Sequence, residues 1–182
     1  MKVVGIACSP RSGGNTEIMV RESLKGVQQA GGETDLYLLA DLNVAPCKAC
    51  GACAEAGGCV VDDDMQKIYA ALLKAEGVIL GTPVYFVNVS AQAKAVVDRT
   101  YAMFLKGKLR GKVAASIVVT RRVGAGQVQG LLYSYFSAQR MIIAGGGIGY
   151  GRDKGEVEKD EEGLRTMTTL AANLAWLLKR TR

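Results

Sequence analysis

Val3-Val4-Gly5-Ile6-Ala7-Cys8-Ser9-Pro10-Arg11-Ser12-Gly13-Gly14-Asn15-Thr16 holds the change of character that decides the fold. Residues 3–8 are almost all apolar, the composition of a strand buried on both faces. Residues 9–16 are polar and carry two glycines. From Asn15 to Ala30 the apolar residues Ile18, Met19, Leu24 and Val27 recur near helical spacing, until Gly31-Gly32 ends the run. The stretch therefore reads as strand, tight loop and helix.

Working outward, the same alternation repeats along the chain. Thr34–Leu39 reads as a second strand, and 40–63 lacks periodicity. A helix starts near Asp64 and runs through Met65, Ile68, Tyr69, Leu72 and Leu73. Gly77–Gly81 is a third strand, ended by Thr82-Pro83. Ser90 caps a helix that continues to about Phe104. Lys112–Thr120 is the fourth strand, and a turn with Gly124 and Gly126 leads to a helix ending near Gln139. Arg140–Ala144 reads as the fifth strand, Gly145–Asp153 as a glycine-dense loop, and Glu158–Lys179 as the closing helix.

Short apolar strands separated by helices predict repeated βαβ units. The expected fold is α/β: a doubly wound five-stranded parallel sheet, strand order 2-1-3-4-5, in a single domain over residues 1–182. A cysteine-bearing loop at about 40–63 lies between strand 2 and helix 2. In such sheets ligands bind beyond the carboxyl ends of the strands, where the order reverses. The loops after strands one, three and four are therefore the places to look.

Composition narrows the chemistry. Of 182 residues, 49% are hydrophobic and 22% charged, which suits a packed globular domain. There is no histidine, so Ser-His-Asp and Cys-His nucleophiles and His-ligated zinc are excluded. No apolar run reaches the ~18 residues of a membrane span. The apolar start falls short of the roughly 7–15 residues of a signal-peptide core, so the expectation is a cytoplasmic protein. The net charge of +6 suits an anionic cofactor or an acidic partner.

The loop after strand one offers hydroxyls from Ser9, Ser12 and Thr16, the Arg11 guanidinium, the Asn15 amide, and glycines that let N–H groups converge. The helix N-terminus behind it adds its dipole. The lysine of a GxxxxGK[ST] loop and the GxGxxG pattern are both absent. The guest that fits is a mononucleotide phosphate. The plainer alternative is a polar turn capped by Asn15 or Thr16. The loop after strand three, Thr82-Pro83-Val84-Tyr85-Phe86-Val87-Asn88-Val89-Ser90, sets aromatic and apolar residues where water is plentiful. A flat amphipathic ring would account for them. Packing against helices or a subunit partner is the alternative.

Ser9-Pro10-Arg11-Ser12-Gly13-Gly14-Asn15-Thr16 resembles the FMN-phosphate loop of the NADPH-dependent FMN reductase branch of the flavodoxin-like proteins. Thr82-Pro83-Val84-Tyr85-Phe86, followed by Ser90-Ala91-Gln92-Ala93-Lys94 and Asp98-Arg99, resembles that family's flavin-ring loop and following helix. The resemblance implies non-covalent FMN, its phosphate held by Ser9, Arg11, Ser12, Gly14, Asn15 and Thr16. The ring would lie on Thr82, Pro83, Val84, Tyr85 and Phe86. Thr120, Gly124 and Gly126 would form a third side by position. Arg121-Arg122 departs there from the glycine-richer form of the family.

Cys47, Cys50, Cys53 and Cys59 give C-x2-C-x2-C-x5-C. Thiolates are soft ligands, and this compact spacing resembles that of ferredoxins. It favours one shared [4Fe–4S] cluster over zinc, whose four-cysteine sites usually use separated pairs. Cysteines without a cluster, left as redox-active thiols, are the other alternative. The motif resembles the iron-sulfur flavoprotein subgroup of the same family. That implies FMN plus one cluster per subunit, in a homodimer or homotetramer where the cluster of one subunit approaches the FMN of another. Cys8, outside the motif, reads as a small buried hydrophobe.

Lys94, Arg99, Lys106, Lys108, Arg110 and Lys112 read as a solvated basic face or a docking surface for an acidic carrier. No motif for nucleic acid accompanies them. Lys179–Arg182 suits a helix C-terminus. The expected function is a redox flavoprotein passing electrons between a [4Fe–4S] cluster, FMN and a ferredoxin-type carrier, quinone or O₂. The alternatives are an NAD(P)H-dependent FMN or quinone reductase without a cluster, and a non-enzymatic flavodoxin-like carrier. No side-chain acid or base is required, so no catalytic residue is assigned.

Overall fold

A computed structural model describes residues 1–181. Arg182, the last residue of the expected domain and of the basic tail, lies outside the described residues. The strands are β1 (Lys2–Ala7), β2 (Glu33–Leu38), β3 (Gly77–Pro83), β4 (Val113–Thr120) and β5 (Ile142–Tyr150). The helices are α1 (Asn15–Gln29), α2 (Cys53–Ala56), α3 (Met65–Lys74), α4 (Ala91–Arg99), α5 (Tyr101–Phe104), α6 (Ala125–Ala138) and α7 (Glu161–Arg180). A 3-10 turn at Glu156–Lys159 precedes α7.

The five strands form one parallel sheet in the order β2-β1-β3-β4-β5, as expected. Alternation along each strand sends side chains into two cores. Val3 and Ala7 of β1, Ile79 of β3 and Ile117 of β4 pack with Met19, Val20, Leu24, Met167 and Leu174 of α1 and α7. Val4 and Ile6, Val78 and Leu80, and Val118 pack on the other face with Ile68, Leu72, Val96, Leu132 and Phe136 of α3, α4 and α6. All eight residues of β4 are buried, which explains its run of Val, Ile and Ala. Cys8 is buried as well; burial pushes its thiol pKa up.

Two expectations need correction. The fifth strand does not stop at Ala144: Gly145–Tyr150 continue β5 and pair with Ala115–Thr120. Glycine is rare within strands, but here the helices come too close for side chains. A Cβ on Gly147 would lie 2.1 Å from Met167 Cε, and one on Gly149 would lie 2.4 Å from Met19 Cε. The helix expected from Ser90 to Phe104 is divided into α4 and α5 at Thr100, whose hydroxyl donates to Val97 O at 2.7 Å.

Candidate functional site

The carboxyl ends of β1 and β3 are tied by one serine. Ser90 Oγ donates to Cys8 O and accepts the Ala93 N–H at 3.1 Å, capping α4. Its own N–H donates to Thr82 Oγ1 at 3.1 Å. Thr82 also donates to Pro83 O within the same loop; the buried Ser90 hydroxyl, through Cys8 O, is the brace between the two loops.

The first loop is shaped from inside. Ser9 Oγ accepts the Arg11 N–H at 3.1 Å, and Gly13, at φ +63°, donates its N–H to Glu17 Oε2 at 2.7 Å. Glu17 also holds Arg21 at 2.8 Å. Gly14 is the N-cap of α1 and supplies no side-chain cap. By contrast, α4 and α7 are capped by Ser90 and Asp160. The uncapped first turn of α1 faces a cavity of about 140 Å³. Ser9, Arg11, Gly14, Asn15 and Thr16 form one wall, and Pro83, Val84 and Tyr85 a second. Val119 and Arg121 give a third, and Gly151, Arg152 and Lys154 close it. Asn15 Nδ2 donates to Asp153 O at 2.9 Å, holding that closing segment in place. Four cations thus ring a helix N-terminus, a setting for an anion.

The structure thus brings together Ser9, Arg11, Gly14, Asn15, Thr16, Pro83, Val84 and Tyr85. It does not bring Ser12, Thr82, Phe86, Thr120, Gly124 or Gly126 to the same wall. Ser12 is exposed. Thr120 is buried and donates to Val123 O at 2.8 Å. Phe86 is fully exposed at the tip of a two-residue hairpin, with Tyr85 and Asn88 exchanging N–H···O bonds of 2.8 and 3.1 Å. Phe86 and Val87 stand at φ +47° and +67°, the left-handed pair of a type I′ turn. Gly124 acts by leaving room: a Cβ there would meet Val84 Cγ1 at 2.9 Å and Val87 Cα at 3.2 Å. Sequence reasoning placed Arg121 within the third side only as a departure from the family pattern and Gly151 in a turn near the ring edge or a subunit contact, and it missed Arg152 and Lys154 as cavity residues. The signal was present, since a fifth strand drawn to Tyr150 delivers Arg152 and Lys154 to the carboxyl edge.

The four cysteines of the motif line a second cavity, of about 710 Å³, with Val60, Val97, Tyr101, Phe104 and Tyr135. Cys47 and Cys50 are exposed, Cys53 and Cys59 half-buried. Ala49, Gly51 and Gly57 take positive φ of 52°, 74° and 72°, so the segment turns sharply three times. Among the described residues no three Cys, Asp or Glu side chains are gathered to hold one ion. The chemistry of the donor set nonetheless fits a soft metal centre, because all four cysteines line one cavity.

Arg99 governs this segment. Only 2% of it is exposed, so Arg99 does not belong to the basic face, on which Lys94, Lys106, Lys108 and Arg110 are exposed as expected. Its Nη1 reaches Ala45 O at 2.9 Å and Asp63 Oδ2 at 2.8 Å. Its Nη2 reaches Asp63 Oδ1 at 3.1 Å and Val61 O at 3.3 Å, and its Nε donates to Cys59 Sγ at 3.2 Å. Asp63 further accepts the Ala45 and Met65 N–H groups at 2.9 and 3.0 Å. Burial opposes the Asp63 charge, but the guanidinium and these N–H donors outweigh it and hold the carboxyl below the usual carboxylate range. Lys112 is also spoken for: its amine donates to the Leu73 and Ala75 carbonyls, and burial lowers its pKa.

Comparison with known proteins fits this geometry. The family model for NADPH-dependent FMN reductase matches residues 1–152. An iron-sulfur flavoprotein of Methanocaldococcus jannaschii is 37% identical over 98% of both chains. One of Methanosarcina thermophila is 36% identical over 98% of this chain and 96% of its own. Among solved structures, RosB superposes with a TM-score of 0.81 at 15% identity, covering 99% of this chain and 79% of that one. A flavodoxin from the domain Archaea gives 0.66 at 14%, covering 98% and 99%. These last two speak for the flavodoxin-like fold. The chain belongs to the NADPH-dependent FMN reductase family and is an oxidoreductase flavoprotein.

Proposed function

We propose that the chain binds FMN and a [4Fe–4S] cluster and exchanges electrons between them and an external carrier. The observation that carries the FMN half is the uncapped N-terminus of α1 facing a cavity ringed by Arg11, Arg121, Arg152 and Lys154. A phosphate monoester there would be held by first-turn N–H groups and the Ser9 and Thr16 hydroxyls. The Pro83–Tyr85 wall supports the ring beside it. Cys47, Cys50, Cys53 and Cys59 would hold the cluster; the cavity they line together and the names of the relatives support this. FMN supplies one- and two-electron chemistry and the cluster one-electron exchange.

A ferredoxin-type carrier, quinone or O₂ serves as the external partner, and NAD(P)H as a candidate donor. Self-association as a homodimer or homotetramer is supported by the exposed Phe86–Val87 tip and by Tyr101 and Phe104 at the cysteine cavity. Among the described residues no helix is long and apolar enough to cross a membrane.

Anaerobic purification tests the reading: stoichiometric FMN and ~4 Fe per chain are expected for a [4Fe–4S] centre. Protein that takes up neither on reconstitution overturns it. The second reading, an NAD(P)H-dependent FMN or quinone reductase without a cluster, is favoured by the ungathered thiols among the described residues. FMN without iron, together with steady NADPH oxidation, would select it.

A further inference from the structure

We infer that Arg99 is a positioning residue that presets Cys59 as the anchor of the cysteine segment and sets the charge at its sulfur. The inference rests on the cluster reading above for its redox part, and on the protein alone for its structural part.

Guanidinium carries five N–H donors. At Arg99 all five are used: on Ala45 O, Val61 O, two on the Asp63 carboxylate, and one on Cys59 Sγ. Ala45 precedes the segment and Cys59, Val61 and Asp63 end it, so one buried side chain closes the loop at its base. Its own origin is firm, because the Arg99 carbonyl accepts the Tyr69 hydroxyl at 2.7 Å. The other three motif cysteines have no such support. Cys47 Sγ accepts a local N–H from Ala49 at 3.4 Å, and Cys50 is exposed. Cys47, Cys50 and Cys53 lie on the turning stretch and Cys59 on its fixed base, an arrangement for assembling a centre around a preset fourth position. A cationic N–H on a ligand sulfur draws off negative charge and favours the reduced centre.

Two measurements test this. In ¹⁵N-labelled apoprotein the Arg99 Nε–H should exchange slowly and shift on Cys59→Ser, while Cys47→Ser leaves it in place. In loaded protein Arg99→Lys keeps the charge beside Asp63 but loses the fork and the Nε–H. At unchanged iron content its reduction equilibrium should fall about tenfold, ~59 mV for one electron, in an EPR-monitored titration. An Nε–H signal indifferent to Cys59→Ser overturns the inference, as does an Arg99→Lys potential equal to that of the wild type. Wild-type protein that binds no iron defeats the cluster reading instead, and the NMR measurement then decides the clamp by itself.

Discussion

The loop after β1 and the segment between β2 and α3 are finished to different degrees. Eight residues, Ser9–Thr16, join a strand locked in the sheet to a helix locked in a core, and Ser9, Glu17 and Arg11 O fold them from within. Their cavity is small and charged. The cysteine segment is longer and lines a cavity several times larger with thiols and aromatics, and Arg99 fixes it at its base. A site for a preformed anion is built ahead of its ligand, because helix N–H groups and hydroxyls need no partner to stand in place. A site of the proposed kind, whose centre would be assembled on its own thiols, needs only its ends set.

On that contrast, the two regions fail separately. The largest effect is expected from Cys50→Ser. Iron should fall from ~4 per chain to a small fraction, while FMN content stays within about twofold of wild type. Loss of FMN along with iron would show the regions to be one site. Gly14→Val is the reciprocal break. A Cβ at Gly14 lies 3.0 Å from Arg11 O and 3.6 Å from Ser9 Oγ, so the branched side chain crowds the cradle. Losing one or two charge-assisted bonds of about 1.5–3 kcal/mol each corresponds to roughly 10–10⁴-fold weaker FMN binding. Flavin fluorescence titration measures it, and the iron content should not change. Affinity within threefold of wild type would move the phosphate elsewhere.

What was legible in the sequence follows the same division. Strand order and the first loop could be read because Val3–Cys8 and Ser9–Thr16 signal locally: apolar run, then glycines and hydroxyls. The length of β5 could not, since Gly147 and Gly149 answer to Met167 and Met19, distant in sequence. Arg152 and Lys154 were lost with it. Arg99 was read as one of a row of cations, and nothing local distinguishes it from Lys94, which pairs with Asp98 on the surface at 2.7 Å. Its burial depends on Ala45 and Asp63, brought over by the return of the chain.

A gentler perturbation of the base uses acid. The folded-state pKa of Asp63 is depressed, so its contribution is present above the unfolded value, about 3.9, and is lost as pH falls through the folded value. Limited proteolysis of apoprotein should therefore cut within 46–58 several-fold faster at about pH 3 than at pH 5. Asp63→Asn should show a clearly smaller acid response, the remainder belonging to Asp64, which pairs with Lys67, accepts the Asn43 N–H and also has a lowered pKa. An equal acid response in Asp63→Asn would assign it to another group.

The smallest effect concerns the finished side of the comparison. Val87 holds a β-branched side chain at φ +67°, where an L residue costs roughly 1–2 kcal/mol. Val87→Gly removes that cost but adds about 0.5–1 kcal/mol of unfolded-chain entropy. The net gain should be about 0.5–1 kcal/mol, a rise of roughly 1–4 °C in Tm for a domain of this size. Backbone strain kept beside a cavity serves position rather than stability. The more stable variant should accordingly hold FMN a few-fold less tightly, because Tyr85, on the hairpin's first arm, is then less firmly aimed. A variant that gains stability with unchanged affinity would show the hairpin strain to be unrelated to the flavin, and would leave the first loop as the sole preformed element of the site.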